Sequence, residues 1–250
     1  VNGAEGFISH LIELRDRLLK AVGALLLVFF VLFYWARDIY TLLAAPMIAE
    51  LPEGATMIAI EVAAPFFVPI KVTLFASLIV ALPFVLYQVW AFIAPGLYTH
   101  EKRLVVPLIA TSTVLFLVGC LFAYLIVFPT VFHFVAAFTP EGVEMNTDIQ
   151  KYFDFVLTLF LAFGLAFETP IAVVILTRMG IVSIEKLKES RPYVIVGAFV
   201  IAAIFTPPDV ISQLLLAFPI WILYEVGLLI SGILEKKAVR EDGQDDENGE

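Results

Sequence analysis

Acidic side chains in unusual places are the first sign of chemistry in this sequence. Glu168 is the only ionisable group in the 22-residue stretch Phe155–Leu176, FVLTLFLAFGLAFETPIAVVIL. As a helix that stretch is about 33 Å long, enough to cross a hydrocarbon core of about 30 Å. A carboxylate at that depth costs roughly 2.5–3.5 kcal/mol on insertion scales, so it is expected to face protein or water. Pro170 follows two residues later and has no N–H to donate, so the carbonyl of Ala166 loses its helical partner. The expected result is a kink with a carboxylate beside it, a polar notch inside the membrane. Such a group either serves a function there or pairs structurally with a neighbouring helix.

Two further acids, Glu13 and Glu101, stand among basic residues at the borders of apolar runs. Glu13 precedes Arg17 by four residues, the favourable order for a helical ion pair worth ~0.3–0.5 kcal/mol. Glu101 can pair with Lys102 or Arg103 for little net gain. The other reading is that each acid takes a guanidinium from outside the chain. Charge-assisted, bidentate bonds of that kind select Arg over Lys.

Enzyme chemistry is not expected. His100-Glu101 is followed by Lys102-Arg103-Leu104, which is not the zinc pattern HExxH, and GxSxG, P-loop and GxGxxG motifs are absent. The three histidines (His10, His100, His133) lack ligand spacing, and the single cysteine, Cys120, lies in an apolar run. No metal, cofactor or nucleic acid is expected as a ligand.

The elements that carry these acids are membrane spans. The chain has 250 residues, 61% of them hydrophobic, with mean hydropathy +0.98. Soluble domains are about 45–50% apolar, so this composition belongs to a polytopic, all-α membrane protein. The net charge of −9 is partly local: Glu235–Glu250 holds seven acids and three bases, which is −4. The rest is spread over loops and does not suggest nucleic-acid binding. A cleavable signal peptide is not expected, because apolar character starts late and no small-residue cleavage site follows.

Phe7–Leu19 has helical spacing of Phe7, Ile8, Leu11, Leu14 and Leu18, with His10, Glu13 and Arg17 on the opposite face. It reads as a short amphipathic helix at the membrane surface. Six spans follow, at about 18–35, 72–94, 104–128, 155–176, 193–206 and 211–224, within one membrane domain over 1–234. Long connections lie at Arg37–Val68 and Pro129–Lys151, and 235–250 is expected to be a disordered acidic tail. The last two spans are short: Tyr193–Thr206 has 14 residues, and Glu225 interrupts the run from Ile211. Such lengths fit either a local thinning of the bilayer or a re-entrant hairpin.

With the N-terminus in the cytoplasm, twelve Lys and Arg fall on inside segments, against Arg37, Lys71 and Lys151 outside. The positive-inside rule therefore predicts both termini in the cytoplasm.

Several long segments resemble the TatC family, the large subunit of the twin-arginine protein translocase. They are HLIELRDRLL (His10–Leu19), the DIY and AP of the first connection, VAAPFF (Val62–Phe67), YQVWAFIAPGLYTHEKR (Tyr87–Arg103), FGLAFETP (Phe163–Pro170), RPYVIVGAF (Arg191–Phe199) and TPPDVISQ (Thr206–Gln213). The resemblance runs from about Ser9 to Leu234 and is nearest to proteobacterial members.

The resemblance implies a six-span, concave, glove-like bundle in the bacterial cytoplasmic (inner) membrane. It implies recognition of twin-arginine signal peptides on folded cargo, and work with the single-span subunits TatA and TatB. Transport is then driven by the proton-motive force, and the subunit self-associates in a multimeric receptor complex. Motif recognition maps onto Glu13 and Glu101, with Arg15, Arg17 and Phe92 nearby. Glu168 becomes a polar contact for partner helices, and Thr206 and Gln213 a polar patch meeting TatA or TatB. Pro46 and Asp209 match outer-side positions that set shape, Asp209 as the cap of the final helix. Lys102 stands where relatives often have Arg.

Outside the resemblance, a proton-coupled small-solute transporter would also use Glu168 as a relay, but it would have no need of Glu13 and Glu101. A passive membrane scaffold is a third reading, and it predicts no export defect on deletion.

Overall fold

The computed structural model describes residues 2–50, 57–93, 102–131, 148–205 and 210–247. Among the described residues the chain is helical nearly throughout. A single isolated bridge joins Ile58 and Asp148, where the Ile149 N–H donates to the Ile58 carbonyl at 2.9 Å. The helices are α1 (Asn2–Leu32), α2 (Ala36–Glu50), α3 (Ala64–Ile93), α4 (Lys102–Phe122), α5 (Ile149–Ala166), α6 (Thr169–Arg178), α7 (Ile184–Glu189), α8 (Arg191–Phe205) and α9 (Val210–Glu247).

Among the described residues, five runs are long and apolar enough to cross a membrane: Ile8–Ala44, Ala64–Ile93, Val105–Val131, Ile149–Arg178 and Val210–Lys236. Arg191–Phe205 is apolar but shorter. The all-α membrane class expected from composition is therefore what the chain adopts.

The surface segment runs into the first span as one continuous helix. No proline interrupts residues 8–45, and a single 3₁₀ turn at Phe33–Trp35 leads directly into α2. The connection expected from Arg37 thus begins as helix. At the other end, Arg191–Phe205 is the first of the two late apolar helices, and the run from Val210 belongs to the longer helix α9. Glu225 does not interrupt α9, because its carboxylate accepts a 2.7 Å bond from Arg191 Nη2 and so is paired. The helical backbone of α9 continues to Glu247.

By its contacts the chain divides into two compact units. One unit comprises Val1–Thr113 and Phe132–Leu159. In it α1 and α2 both pack on α3. Its apolar centre includes Val68, Val72, Leu82, Phe153 and Val156, all almost fully buried. Buried hydroxyls are satisfied within their own helix: Thr73 donates to the Pro69 carbonyl and Ser77 to the Thr73 carbonyl, each at 2.7 Å. Side-chain contacts that join helices include Trp90 Nε1 to Ser112 Oγ at 2.8 Å, Lys71 Nζ to Asp154 Oδ1 at 2.6 Å, and the Tyr40 ring on Phe153.

The second unit comprises Val114–Val131 and Phe160–Glu250. Here α9 packs on α6 and α8. Glycine permits the closest approaches: a Cβ on Gly119 would stand 2.5 Å from the Phe163 carbonyl oxygen, and one on Gly227 would stand 2.9 Å from Val173 Cβ. Gly180, at φ +67°, ends α6 in the left-handed conformation that other residues rarely adopt. Polar contacts then hold α9 in place. Tyr224 donates to the Leu187 carbonyl at 2.7 Å, and Thr177 to Ser231 Oγ at 3.0 Å.

Candidate functional site

The acidic group at the start of the chain sits on α1, between more exposed neighbours. Arg17 donates to Glu13 twice, through Nε at 2.9 Å and Nη2 at 2.7 Å, both to Oε1. The pair is half-buried, with the Glu13 side chain 37% exposed and that of Arg17 25%. Arg15 turns to its neighbour Asp16 instead, with Nε and Nη2 at 2.9 and 2.7 Å from Oδ1. One turn before Glu13, the imidazole of His10 lies flat on the Phe92 ring, with centroids 4.4 Å apart and planes 19° apart. Phe92 is near the end of α3. The structure thus places Glu13, Arg15, Arg17 and Phe92 in one unit, on two helices that pack together. Glu101 lies outside the described residues.

Glu168 is buried, at 8% exposure. It stands at the N-cap of α6, in the break between α5 and α6. Phe167 and Glu168 form a turn in which the Glu168 N–H donates to the Leu165 carbonyl at 3.1 Å. The Ala166 carbonyl, which Pro170 cannot serve, accepts instead from the Thr169 hydroxyl at 2.6 Å. The helix break expected at Pro170 is therefore present, and a side chain replaces the missing backbone donor. The helix resumes at once, since the Ala172 N–H donates to the Glu168 carbonyl at 3.0 Å.

Phe167, next to this carboxylate, forms part of the wall of a cavity of about 550 Å³. Phe122 and, from α9, Ile211, Leu214, Phe218 and Ile222 also line it, and every lining side chain is apolar. Pro219, another lining residue, sits inside α9. Gln213 is half-buried on the same helix. An apolar wall of this kind fits a hydrophobic helix or chain rather than a polar solute. Thr206 and Asp209 lie outside the described residues. The backbone of Pro46 belongs to α2.

Sequence reasoning missed several features, among them a hydroxyl and two ion pairs. Thr169 is legible in retrospect, as a hydroxyl beside a proline that frees a carbonyl. The Lys71–Asp154 and Arg191–Glu225 pairs join charges that each stood alone near an apolar run, and only the fold brings the partners together. Among the described residues, no group of three His, Cys, Asp or Glu is arranged to hold a metal ion.

Comparison with known proteins gives a consistent result. The family model of the Sec-independent protein translocase protein TatC matches residues 9–219. The chain is 60% identical over 221 residues to the Sec-independent protein translocase protein TatC of Azotobacter chroococcum mcd 1, covering 88% of this chain and 87% of that one. It is 55% identical over 231 residues to TatC of Escherichia coli K12, covering 92% and 90%. A crystal structure of the twin-arginine translocase receptor TatC superimposes with TM-score 0.79 at 41% identity, over 90% of this chain and 98% of that one. Its counterpart in DDM gives 0.80, also at 41% identity, over 89% and 99%. This weight of likeness favours the translocase over a small-solute transporter, and the chain belongs to the TatC family of Sec-independent protein translocase proteins.

Proposed function

We propose that this chain is the receptor subunit that binds twin-arginine signal peptides at the cytoplasmic border of the membrane, and that it acts without enzymatic chemistry of its own. The observation that carries this reading is Glu13, an accessible carboxylate that already holds a guanidinium by two hydrogen bonds. An arginine from a signal peptide needs the same acceptor. Glu101 is the second acceptor, Phe92 and Arg15 border the site, and Arg17 is the resident partner to be exchanged. The apolar segment of the leader partitions into the bilayer beside it.

Both termini face the cytoplasm in this reading, on the strength of the lysine and arginine bias. The chain crosses the bacterial inner membrane six times, with Arg191–Phe205 as the short span. The single-span subunits TatA and TatB are its partners, and several copies form the receptor complex. The apolar cavity along α9 takes a partner helix, with Glu168, Thr206 and Gln213 as polar contacts, while Pro46 and Asp209 shape the outer side. The proton-motive force drives transport of the folded cargo.

The test is site-specific photo-crosslinking from positions 13, 101, 168 and 213 in native membranes, with and without a signal peptide. Positions 13 and 101 are expected to capture the Arg-Arg leader. Positions 168 and 213 are expected to capture the small subunits. Capture of the leader from neither 13 nor 101 would refute the recognition site.

A further inference from the structure

We propose that His10 is a positioning residue for twin-arginine docking. Its ring, stacked on Phe92, fixes the register of α1 against the end of α3, and so sets where the Glu13 carboxylate is presented. The inference rests on the recognition role given to Glu13.

His10, Glu13 and Arg17 occupy positions i, i+3 and i+7, which share one face of a helix. His10 is exposed, so hydrophobic burial does not explain its placement. Its ring nevertheless lies nearly parallel to that of Phe92 at a centroid distance of 4.4 Å, a close stacked contact at the short end of aromatic pair distances. The contact joins the acidic face of α1 to the last turn of α3, from which the chain leads on to Glu101.

A receptor for two adjacent arginines has a spacing problem. Consecutive Cα atoms of the leader are about 3.8 Å apart, so two carboxylates must stand in a fixed relation to take both guanidiniums. A slip of α1 by one residue would move Glu13 by about 1.5 Å along the axis and turn it by about 100°. Errors of that size are enough to defeat a bidentate contact. An aromatic clamp one turn from the carboxylate opposes such a slip. The residue facing Phe92 must be flat, whereas Glu13 itself must be charged.

The experiment uses the full chain with its small-subunit partners in native membranes, at matched amounts of inserted protein. Binding is measured for a fluorescent Arg-Arg signal peptide and for its Lys-Lys counterpart. His10→Ala is expected to weaken Arg-Arg binding by about three- to tenfold, the range that loss of one aromatic pair gives. Lys-Lys binding should change less, so the ratio between the two peptides narrows. His10→Phe, which keeps the stack without the imidazole, is expected to restore both values.

Phe92→Ala combined with His10→Ala should lose no more than the worse single variant. Wild-type binding in His10→Ala, or no recovery in His10→Phe, would overturn the proposal. Should His10→Ala not accumulate, the ratio in His10→Phe and His10→Leu decides the matter: the first should match wild type and the second should not. Glu13→Gln separates the two levels of the reading. If it also binds normally, the recognition site is wrong; if it fails to bind while His10→Ala binds normally, only the clamp is wrong.

Discussion

Glu13 and Glu168 are both carboxylates of a membrane-spanning chain, yet their surroundings differ in kind. Glu13 is only half-buried and is held by a side chain, Arg17, which has its own rotamer freedom. Glu168 is buried at a helix break, where a turn, a proline and the Thr169 hydroxyl on the Ala166 carbonyl shape the backbone. An exposed ion pair has a small net free energy and exchanges readily. A buried carboxylate at a helix break neither exchanges nor moves cheaply. The first arrangement suits a group that meets a transient ligand. The second suits a group that forms part of a standing surface.

The comparison is broken most severely by neutralising Glu13 and Glu101 together. Glu13→Gln with Glu101→Gln is expected to lower Arg-Arg signal-peptide binding by about a hundredfold or more, since each removes a charge-assisted hydrogen bond. Membrane insertion should be unchanged, which protease protection would check. Glu168→Ala should give the opposite pattern. Export of folded cargo is expected to fall by about tenfold while signal-peptide binding stays within about twofold, because a partner-helix contact and not the docking carboxylate is lost.

Smaller effects sharpen the contrast between side-chain and backbone support. Thr169→Val removes the donor to the Ala166 carbonyl and is expected to cost about 1–3 kcal/mol, read as a fall in melting temperature of the detergent-solubilised protein. Gly119→Ala forces a Cβ against the Phe163 carbonyl and should cost a similar ~1–3 kcal/mol in the same assay. Arg17→Gln, by contrast, removes only an i,i+4 ion pair and is expected to shift stability by ~0.3–0.5 kcal/mol. A loss from Arg17→Gln as large as that from Thr169→Val would erase the distinction.

The membrane-spanning helices and the break at Pro170 were legible because length, apolar composition and a missing N–H act locally. The Glu13–Arg17 pair was legible for the same reason, as both residues lie on one helix. Span ends were less legible. The turn at Phe33–Trp35 carries no breaker residue, so its place depends on packing. Glu225 looked like a terminator because its partner, Arg191, is 34 residues away and on another helix. The apolar cavity and the His10–Phe92 stack depend on contacts between helices, which periodicity along one segment does not reveal.

The hydroxyl of Thr169 has a consequence for mechanics. A proline that leaves a bare carbonyl makes a loose joint, since water or a neighbouring chain can wedge into the gap. Here the gap is stitched shut from within the chain at 2.6 Å. The elbow at Glu168 is therefore a set angle and not a swivel, and whatever docks against it meets the same contour before and after cargo arrives.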